Sequence, residues 1–221
     1  MLKGKVVLVT GANGALGQVA CATATGHGAD VVALDLLFTS SPGARRHTVD
    51  LTDANAVQAC IAAVGRVDVV LNIAGGFAMG PTVHETTLEQ WNHMMLMNVV
   101  TARNVMNAVV PGMLERGRGC IVNVGALSAR EGQGNMGAYC VAKSTVMRMT
   151  ESMAKELRSK GVNVNAVLPS IIDTPANRRD MPDADYSRWV APADLAEVMC
   201  FLGSDGARAI HGALLPVAGL A

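Results

Sequence analysis

Short strand-like apolar runs alternate with longer helical stretches along the whole chain. The first run, Lys5–Thr10, has a continuous apolar centre, which is typical of a strand buried on both faces. The predicted strands are Lys5–Thr10, Asp30–Leu36, His47–Asp50, Asp68–Ile73, Cys120–Val124, Val162–Leu168 and Leu214–Val217. The predicted helices are Ala15–His27, Asp53–Val64, Thr87–Glu115, Met136–Lys160 and Pro192–Leu202.

Glycine, proline and capping residues mark the ends of these elements. Gly28 and Gly161 follow helices, Pro169 stops a strand, and Asp53 is suited to cap the helix that it opens. The predicted connections are a turn over Phe38–Gly43, a glycine loop over Ala74–Gly80, and a polar, proline-punctuated flap over Thr174–Trp189.

The alternation of strand and helix determines the expected fold class. It predicts an α/β protein with one Rossmann-like, doubly wound parallel sheet of about seven strands and helices on both faces. We expect one domain over residues 1–221, with a substrate flap around residues 173–190. In such sheets, ligands bind at the carboxyl ends of the strands.

Composition narrows the expected partners. The chain has 221 residues, 50% of them hydrophobic, and a formal net charge of +0, so no overall field attracts nucleic acid or an anionic membrane. No apolar stretch is long enough to predict a membrane span. The five cysteines are scattered and form no metal-binding spacing, which predicts reduced thiols in a cytoplasmic protein and no metal site.

A glycine turn, TGANGALG, connects the first strand to the first helix at Thr10–Gly17. Such a turn lets backbone N–H groups approach a pyrophosphate, and the helix N-terminus adds positive potential. This pattern predicts dinucleotide binding. The alternative is an ordinary connection between a strand and a helix.

An acidic residue, Asp35, ends the second predicted strand. Asp35 lies 18 residues after Gly17, the last glycine of the turn. At this spacing, a carboxylate can accept hydrogen bonds from adenosine ribose hydroxyls and repel a 2′-phosphate. NAD(H) is therefore favoured, and NADP(H) stays open because Arg45 and Arg46 follow in the sequence. Alternatively, Asp35 only caps a loop.

Two further strand ends point to the same ligand. Asp50 ends the third predicted strand and could meet the adenine amino group. The stretch NIAGG, Asn72–Gly76, ends the fourth, and its glycines would let a cofactor pass close to the backbone.

Tyr139 and Lys143 are four positions apart on a predicted helix, so they share a face. An ammonium group stabilises a phenolate, which predicts a lowered pKa for the tyrosine and proton exchange near neutral pH. Taken alone, such a pair is more typical of incidental residues on an amphipathic helix. Its position downstream of the glycine turn favours the catalytic interpretation.

Taken together, these motifs resemble the short-chain dehydrogenase/reductase family. The matching stretches are TGANGALG, Asp50–Leu51, NIAGG, Asn98 in MMLMNVV, IVNV, YCVAK, LPSIIDTP and GALLPVAG. The resemblance implies that Tyr139 is the acid/base, that Lys143 binds the nicotinamide ribose, and that Asn98 holds a relay water. It also implies a homodimer or homotetramer built through Thr87–Glu115 and Met136–Lys160.

The resemblance extends to a set of contact residues. The expected cofactor contacts are Gly11, Asn13, Gly14, Ala15, Leu16, Gly17, Asp35, Asp50, Leu51, Asn72, Ala74, Gly75, Tyr139, Lys143, Pro169 and Thr174, the last at the carboxamide. The expected substrate contacts are Ala126, Phe77, Met79, Tyr186 and Trp189.

Three positions depart from the family pattern. Ala15 stands where a glycine is usual in the phosphate turn, and Ser170 follows Pro169 where a glycine is usual. Ala126 occupies the position of the family's catalytic serine, thirteen residues before the tyrosine. Ser128 could replace that serine if the loop is shifted.

The missing serine, together with the stretch from Asp173 to Trp189, resembles the dihydropteridine reductases within this family. That resemblance implies reduction of a quinonoid dihydropterin by NADH, although Asn98 follows the general family instead. One alternative is a general carbonyl reductase or alcohol dehydrogenase with Ser128 in the serine's role. The other is a non-catalytic dinucleotide-binding sensor.

Overall fold

The computed structural model describes residues 1–38 and 45–220 and confirms the expected fold class. Seven parallel strands form one sheet in the order β3-β2-β1-β4-β5-β6-β7, with helices on both faces. The strands are β1 (Val6–Thr10), β2 (Asp30–Asp35), β3 (Arg45–Thr48), β4 (Val69–Asn72), β5 (Gly119–Val124), β6 (Val162–Pro169) and β7 (Leu214–Val217).

The predicted helices are present, with two differences in the long ones. The helices are α1 (Ala15–Gly26), α2 (Ala54–Val64), α3 (Leu88–Met95), α4 (Thr101–Glu115), α5 (Gly137–Leu157), α6 (Pro175–Asp180) and α7 (Pro192–Leu202). A π-helical turn, Leu96–Val100, divides the predicted helix Thr87–Glu115 into α3 and α4. The end of the other long helix tightens into a 3₁₀ turn, Arg158–Lys160, before Gly161 at a φ of 77°.

The apolar centre of β1 shows why the strands read as continuous hydrophobic runs. Val7 and Val9 face the core shared with α1 and α7, whereas Leu8 faces the core shared with α2 and α4. All three residues have 0% exposure. A strand covered by helices on both faces needs apolar side chains at every position.

The third strand begins two residues earlier than the sequence predicts, at Arg45 rather than His47. It is an edge strand of polar residues, so no hydrophobic pattern marks its bounds. Pairing with β2 sets its register instead, with Thr48 opposite Asp35. The turn predicted over Phe38–Gly43 lies outside the described residues apart from Phe38.

The structure confirms the predicted cap of α2. Asp53 caps α2, because its carboxylate accepts hydrogen bonds from the N–H groups of Asn55 and Ala56. Within residues 1–38 and 45–220, no helix is long and apolar enough to cross a membrane.

Candidate active site

A cavity of about 1720 Å³ lies at the carboxyl ends of the strands and extends to the flap. Its walls include most residues singled out in the sequence, namely Gly11, Asn13, Gly14, Ala15, Leu16, Gly17, Asp35, Asp50, Leu51, Ala74, Gly75, Phe77, Met79, Ala126, Ser128, Tyr139, Lys143, Pro169 and Thr174. Four predicted residues are not among its described walls: Asn72, Asn98, Tyr186 and Trp189. The fold thus brings the glycine turn and the Tyr139–Lys143 pair to one cavity.

The glycine turn packs so closely that side chains would not fit at two positions. A Cβ on Gly17 would lie 2.0 Å from the carbonyl oxygen of Gly11. Gly11 itself has a φ of 64°, and a Cβ there would lie 3.0 Å from the backbone of Ala74. Ala15, the departure from the family pattern, is the exposed first residue of α1 and obstructs nothing in this turn.

The first turn of α1 fits an anionic group. Gly14 occupies the N-cap position and offers no side-chain cap, and the residues of this turn line the cavity. The N-terminal N–H groups of a helix lack intrahelical partners and carry partial positive charge. The N–H groups of Ala15, Leu16 and Gly17 are therefore suited to hold a pyrophosphate, whereas those of Asn13 and Gly14 already donate to Asp35 and Gly11.

Asp35 makes the loop-capping contacts that the sequence allowed as an alternative. Its two carboxylate oxygens accept hydrogen bonds from the N–H of Asn13 at 2.8 Å and the N–H of Leu36 at 2.7 Å. The same carboxylate lines the cavity and keeps lone pairs for ribose hydroxyls. The two interpretations of Asp35 are therefore compatible.

The two arginines that left NADP(H) open make other contacts. Arg45 pairs with Asp30 at 2.8 Å, and the Arg46 guanidinium lies 5.1 Å from the ring centre of Phe38. Neither is among the described residues that line the cavity.

Asp50 and Leu51 form the wall of the cavity after β3. Hydrogen bonds from the hydroxyl and N–H groups of Thr52 lower the pKa of the Asp50 carboxyl. Asn104 of α4 donates hydrogen bonds to the carbonyl oxygens of Leu51 and Thr52 at 2.9 and 3.2 Å. Sequence reasoning missed Asn104, because nothing local marks an asparagine inside a helix as the support of a loop 52 residues away.

Asn72 belongs to the core rather than to the cofactor wall. It is 4% exposed, and its Oδ1 accepts a hydrogen bond from the hydroxyl of Thr10 at 3.0 Å. Its Nδ2 donates to Asn123, which in turn donates to Thr150 of α5. Buried amides need such partners, and here they join β1, β4, β5 and α5.

Tyr139 and Lys143 lie on the first turns of α5, and both face the cavity. Lys143 is 6% exposed, and its Nζ donates a hydrogen bond to the carbonyl oxygen of Val124 at 2.9 Å. Phe77 packs edge-on against the Tyr139 ring at 4.9 Å between ring centres. Lys143 is thus held by the end of β5, and Tyr139 by its contact with Phe77.

The predicted lowering of the Tyr139 pKa is wrong for the chain by itself. Burial raises the pKa of the phenol to about 12 and lowers the pKa of the Lys143 ammonium to about 8. Desolvation disfavours the charged form of each group and is the main cause of both shifts. A charged ligand in the cavity would be needed to reverse this balance.

Asn98 lies in the π-helical turn and clamps the loop after β4. Its Oδ1 accepts a hydrogen bond from the N–H of Gly76 at 3.2 Å, and its Nδ2 donates to the carbonyl oxygens of Gly76 and Met94, both at 3.1 Å. A Cβ on Gly75 would lie 2.6 Å from that Oδ1 and 3.3 Å from Lys143 Nζ. Asn98 thus positions the loop beside Lys143 but does not itself line the cavity.

The segment after β5 carries Ala126 and Ser128. Ala126 is 3% exposed. Ser128 lies in a 3₁₀ turn, Leu127–Arg130, and lines the cavity. Ser144 of α5 holds this turn by donating to the carbonyl oxygen of Ala129 at 2.6 Å. Ser128 is therefore the serine of this turn on the cavity wall.

Contacts between its own side chains order the flap, and the two aromatic residues expected to contact the substrate do not line the cavity. Tyr186 and Trp189 pack against each other at 4.8 Å, and the Tyr186 hydroxyl donates to the carbonyl oxygen of Pro182 at 2.8 Å. Arg178 adds an ion pair with Asp173 at 2.6 Å and covers the Tyr186 ring. The aromatic pair thus supports the flap, while α6, capped by Thr174, lines the cavity.

Comparison with known proteins places this site in a family. A family model described as enoyl-(acyl carrier protein) reductase matches residues 4–219. The chain belongs to the short-chain dehydrogenase/reductase family. As a member, it is an NAD(P)-dependent oxidoreductase. This short-chain dehydrogenase/reductase is 34% identical to the meso-2,3-butanediol dehydrogenase of Serratia marcescens over 97% of this chain and 93% of that protein.

Solved structures of other proteins share the fold. The 3-ketoacyl-(acyl-carrier-protein) reductase of Brucella melitensis, complexed with NADH, is 27% identical with a TM-score of 0.89, covering 99% of this chain and 98% of that one. ElxO with NADP bound has a TM-score of 0.90 at 24% identity, covering 97% of each chain, and supports the fold alone. The NADH complex of the Brucella relative does not decide whether this chain prefers NAD(H) or NADP(H).

Proposed function

We propose that this protein interconverts a ketone and a secondary alcohol, with NAD(H) as the preferred cofactor. The observation that carries this proposal is the convergence of the glycine turn, Tyr139 and Lys143 on one cavity. A pure nucleotide-binding protein would need the turn but not a phenol and a buried ammonium beside it.

The residues of this cavity fit a dinucleotide. The missing Cβ atoms of Gly11 and Gly17 keep the turn compact, and the N–H groups of Ala15, Leu16 and Gly17 would hold the pyrophosphate. Asp35 would receive the adenosine ribose, and Lys143 the nicotinamide ribose. When bound, the nicotinamide supplies or accepts a hydride.

Tyr139 handles the proton in this proposal. In reduction, its phenol donates a proton to the carbonyl oxygen, and in oxidation its phenolate removes one from the alcohol. The raised pKa of the phenol in the chain alone favours the protonated form, which is the form that reduction requires. The charge of Lys143 stabilises the phenolate once a proton has left.

The relatives support ketones and alcohols better than dihydropterins. The Serratia relative is named for a secondary alcohol, and the Brucella relative for a ketoacyl substrate. The sequence stretch that suggested dihydropteridine reduction contains Tyr186 and Trp189, which do not line the cavity. Carbonyl or alcohol chemistry is therefore the better-supported interpretation.

A ketone needs its oxygen polarised, and Ala126 cannot do this. We propose that Ser128 donates the hydrogen bond that the family's serine would supply. Its position in the cavity wall supports this role. Removal of one such donor costs about 10²–10³ in kcat in a well-studied protease.

The NAD(H) preference rests on Asp35. A carboxylate beside the ribose repels a 2′-phosphate, and the contacts of Arg45 and Arg46 direct both guanidinium groups to other partners.

We also propose that the protein assembles into a homodimer or homotetramer through Thr87–Glu115, which includes α4, and through α5. Sedimentation would test this assembly.

Tyr139→Phe tests the proposal directly. We expect NADH oxidation with a methyl ketone to fall by at least about 10²-fold, whereas NADH affinity stays within a few-fold. Ser128→Ala should lower kcat as well. Ser144→Ala, which removes the hydrogen bond to Ala129 that holds the same turn, shows how much of that loss comes from displacing the turn. Undiminished turnover in Tyr139→Phe would refute the proton role. Binding of NADH without turnover of any ketone or alcohol by the unaltered protein would favour the sensor.

A further inference from the structure

Several methionines line the cavity. Four of the 13 methionines, Met79, Met97, Met136 and Met181, line the cavity that holds the Phe77–Tyr139 pair. They come from four separate segments: the loop after β4, the π-helical turn, the residue before α5, and the residue after α6. Their convergence is therefore a property of the folded site and not of one amphipathic helix.

A second cavity of about 100 Å³ shares two of these side chains with the first. Met79 and Met136 line both cavities, so the two cavities adjoin at these residues. The far cavity is also lined by Pro81, Met94 and Ala138, which are apolar. Met79 is 60% exposed, so its side chain is not held in place by close packing.

The polar groups of the far cavity are partly satisfied already. Gln90 Oε1 accepts a hydrogen bond from the N–H of Thr87 at 2.9 Å, and the Thr86 hydroxyl donates to the carbonyl oxygen of Thr82 at 2.9 Å. His93, also in this wall, is exposed and can be hydrated. An apolar ligand group entering this space would therefore break neither of the two hydrogen bonds.

We infer that the substrate carries a short, unbranched alkyl arm that passes between Met79 and Met136 into the second cavity. This inference rests on the proposed function, because it assigns one arm of the ketone. Methionine is unbranched with three rotatable bonds and adapts its shape to a ligand. The second cavity, of about 100 Å³ and partly open to solvent, has room for an alkyl chain of a few carbons.

The first test is a series of methyl ketones from 2-butanone to 2-nonanone, assayed with NADH. We expect kcat/KM to rise about fourfold for each methylene until the second cavity is filled, which is the effect of burying one methylene group. A flat or falling series would overturn the inference.

A variant that fills the second cavity sharpens this test. Ala138→Val adds volume to its wall, and the gain for the longer ketones should then disappear while the shorter ketones are still reduced. Leu88→Ala is the control, because Leu88 is 76% exposed and lines neither cavity, and it should keep the chain-length profile.

A second measurement does not depend on turnover. With ¹³C-methyl methionine in the full-length protein, 2-heptanone should shift the methyl resonances of Met79 and Met136, and acetone should leave them unshifted. Resonances would be assigned with Met→Leu variants. Such shifts without turnover of any ketone would refute the proposed function but support the alkyl site. Turnover without chain-length dependence and without these shifts would do the reverse.

Discussion

The buried ammonium of Lys143 should make the protein less stable than a variant with a neutral side chain there. Its pKa falls from 10.5 to about 8 on folding, and one unit corresponds to ~1.4 kcal/mol. Because the unfolded chain binds this proton more tightly, the penalty is complete below about pH 8 and is relieved as the pH rises toward 10.5. The penalty is therefore about 3 kcal/mol at pH 7 and about 2 kcal/mol at pH 9.

Lys143→Met removes both this penalty and the hydrogen bond to Val124. The lost bond costs about 1 kcal/mol, so we expect the free energy of unfolding to rise by about 2 kcal/mol at pH 7 and by about 1 kcal/mol at pH 9. Turnover should be lost at both pH values. The raised pKa of Tyr139 affects stability only above about pH 10, outside this window.

Urea unfolding at pH 7 and pH 9 measures these differences. Lys155→Met is the matched control, because Lys155 is exposed on the same helix and loses no buried charge. Its effect on the free energy of unfolding should be small and equal at the two pH values. If Lys143→Met instead destabilised the protein equally at both pH values, the ammonium would not be desolvated in the folded chain and the reasoning would be refuted.

Three further predictions address the cofactor end. Gly17→Ala places a Cβ 2.0 Å from the Gly11 oxygen, so it should lower the free energy of unfolding in urea by about 3 kcal/mol and weaken NADH binding. Gly26→Ala, at the other end of α1 with nothing within 4 Å of its Cβ, should do neither. Similar losses in both variants would contradict this packing argument. Gly75→Ala should displace the Asn98 side chain, lower stability by about 1–2 kcal/mol and reduce kcat; an unchanged kcat would refute the positioning role. Asp35→Asn should improve kcat/KM with NADPH relative to NADH by roughly fivefold, from ~1 kcal/mol of charge repulsion, and an unchanged ratio would remove Asp35 from cofactor selection.

The strands and the glycine turn could be predicted because their causes are local. Val7 to Val9 are apolar at every position, and this pattern survives in any environment that covers both faces. The polar edge strand β3 lacked such a pattern, and only its pairing with β2 set its bounds. The two-residue error there follows from this difference.

Several site features depended on contacts between distant parts of the chain. The resemblance to a family motif identifies Asn98 from the sequence. Its hydrogen bonds to Gly76 depend on a π-helical turn, which the spacing of residues in the sequence does not predict. Tyr186 and Trp189 were expected at the substrate. Their packing against each other and the flap backbone leaves both outside the cavity wall.

By itself, the sequence determined the parallel α/β class, the compact phosphate turn and the shared helical face of Tyr139 and Lys143. The class follows from the alternation of strand and helix patterns along the chain, and the other two features follow from residue order over a few positions, since helix and strand periods are properties of the local backbone. Only the tertiary structure decided the direction of both pKa shifts, the burial of Asn72 and the methionine wall. These depend on which distant side chains exclude water from a group, and desolvation has no signature in residue spacing.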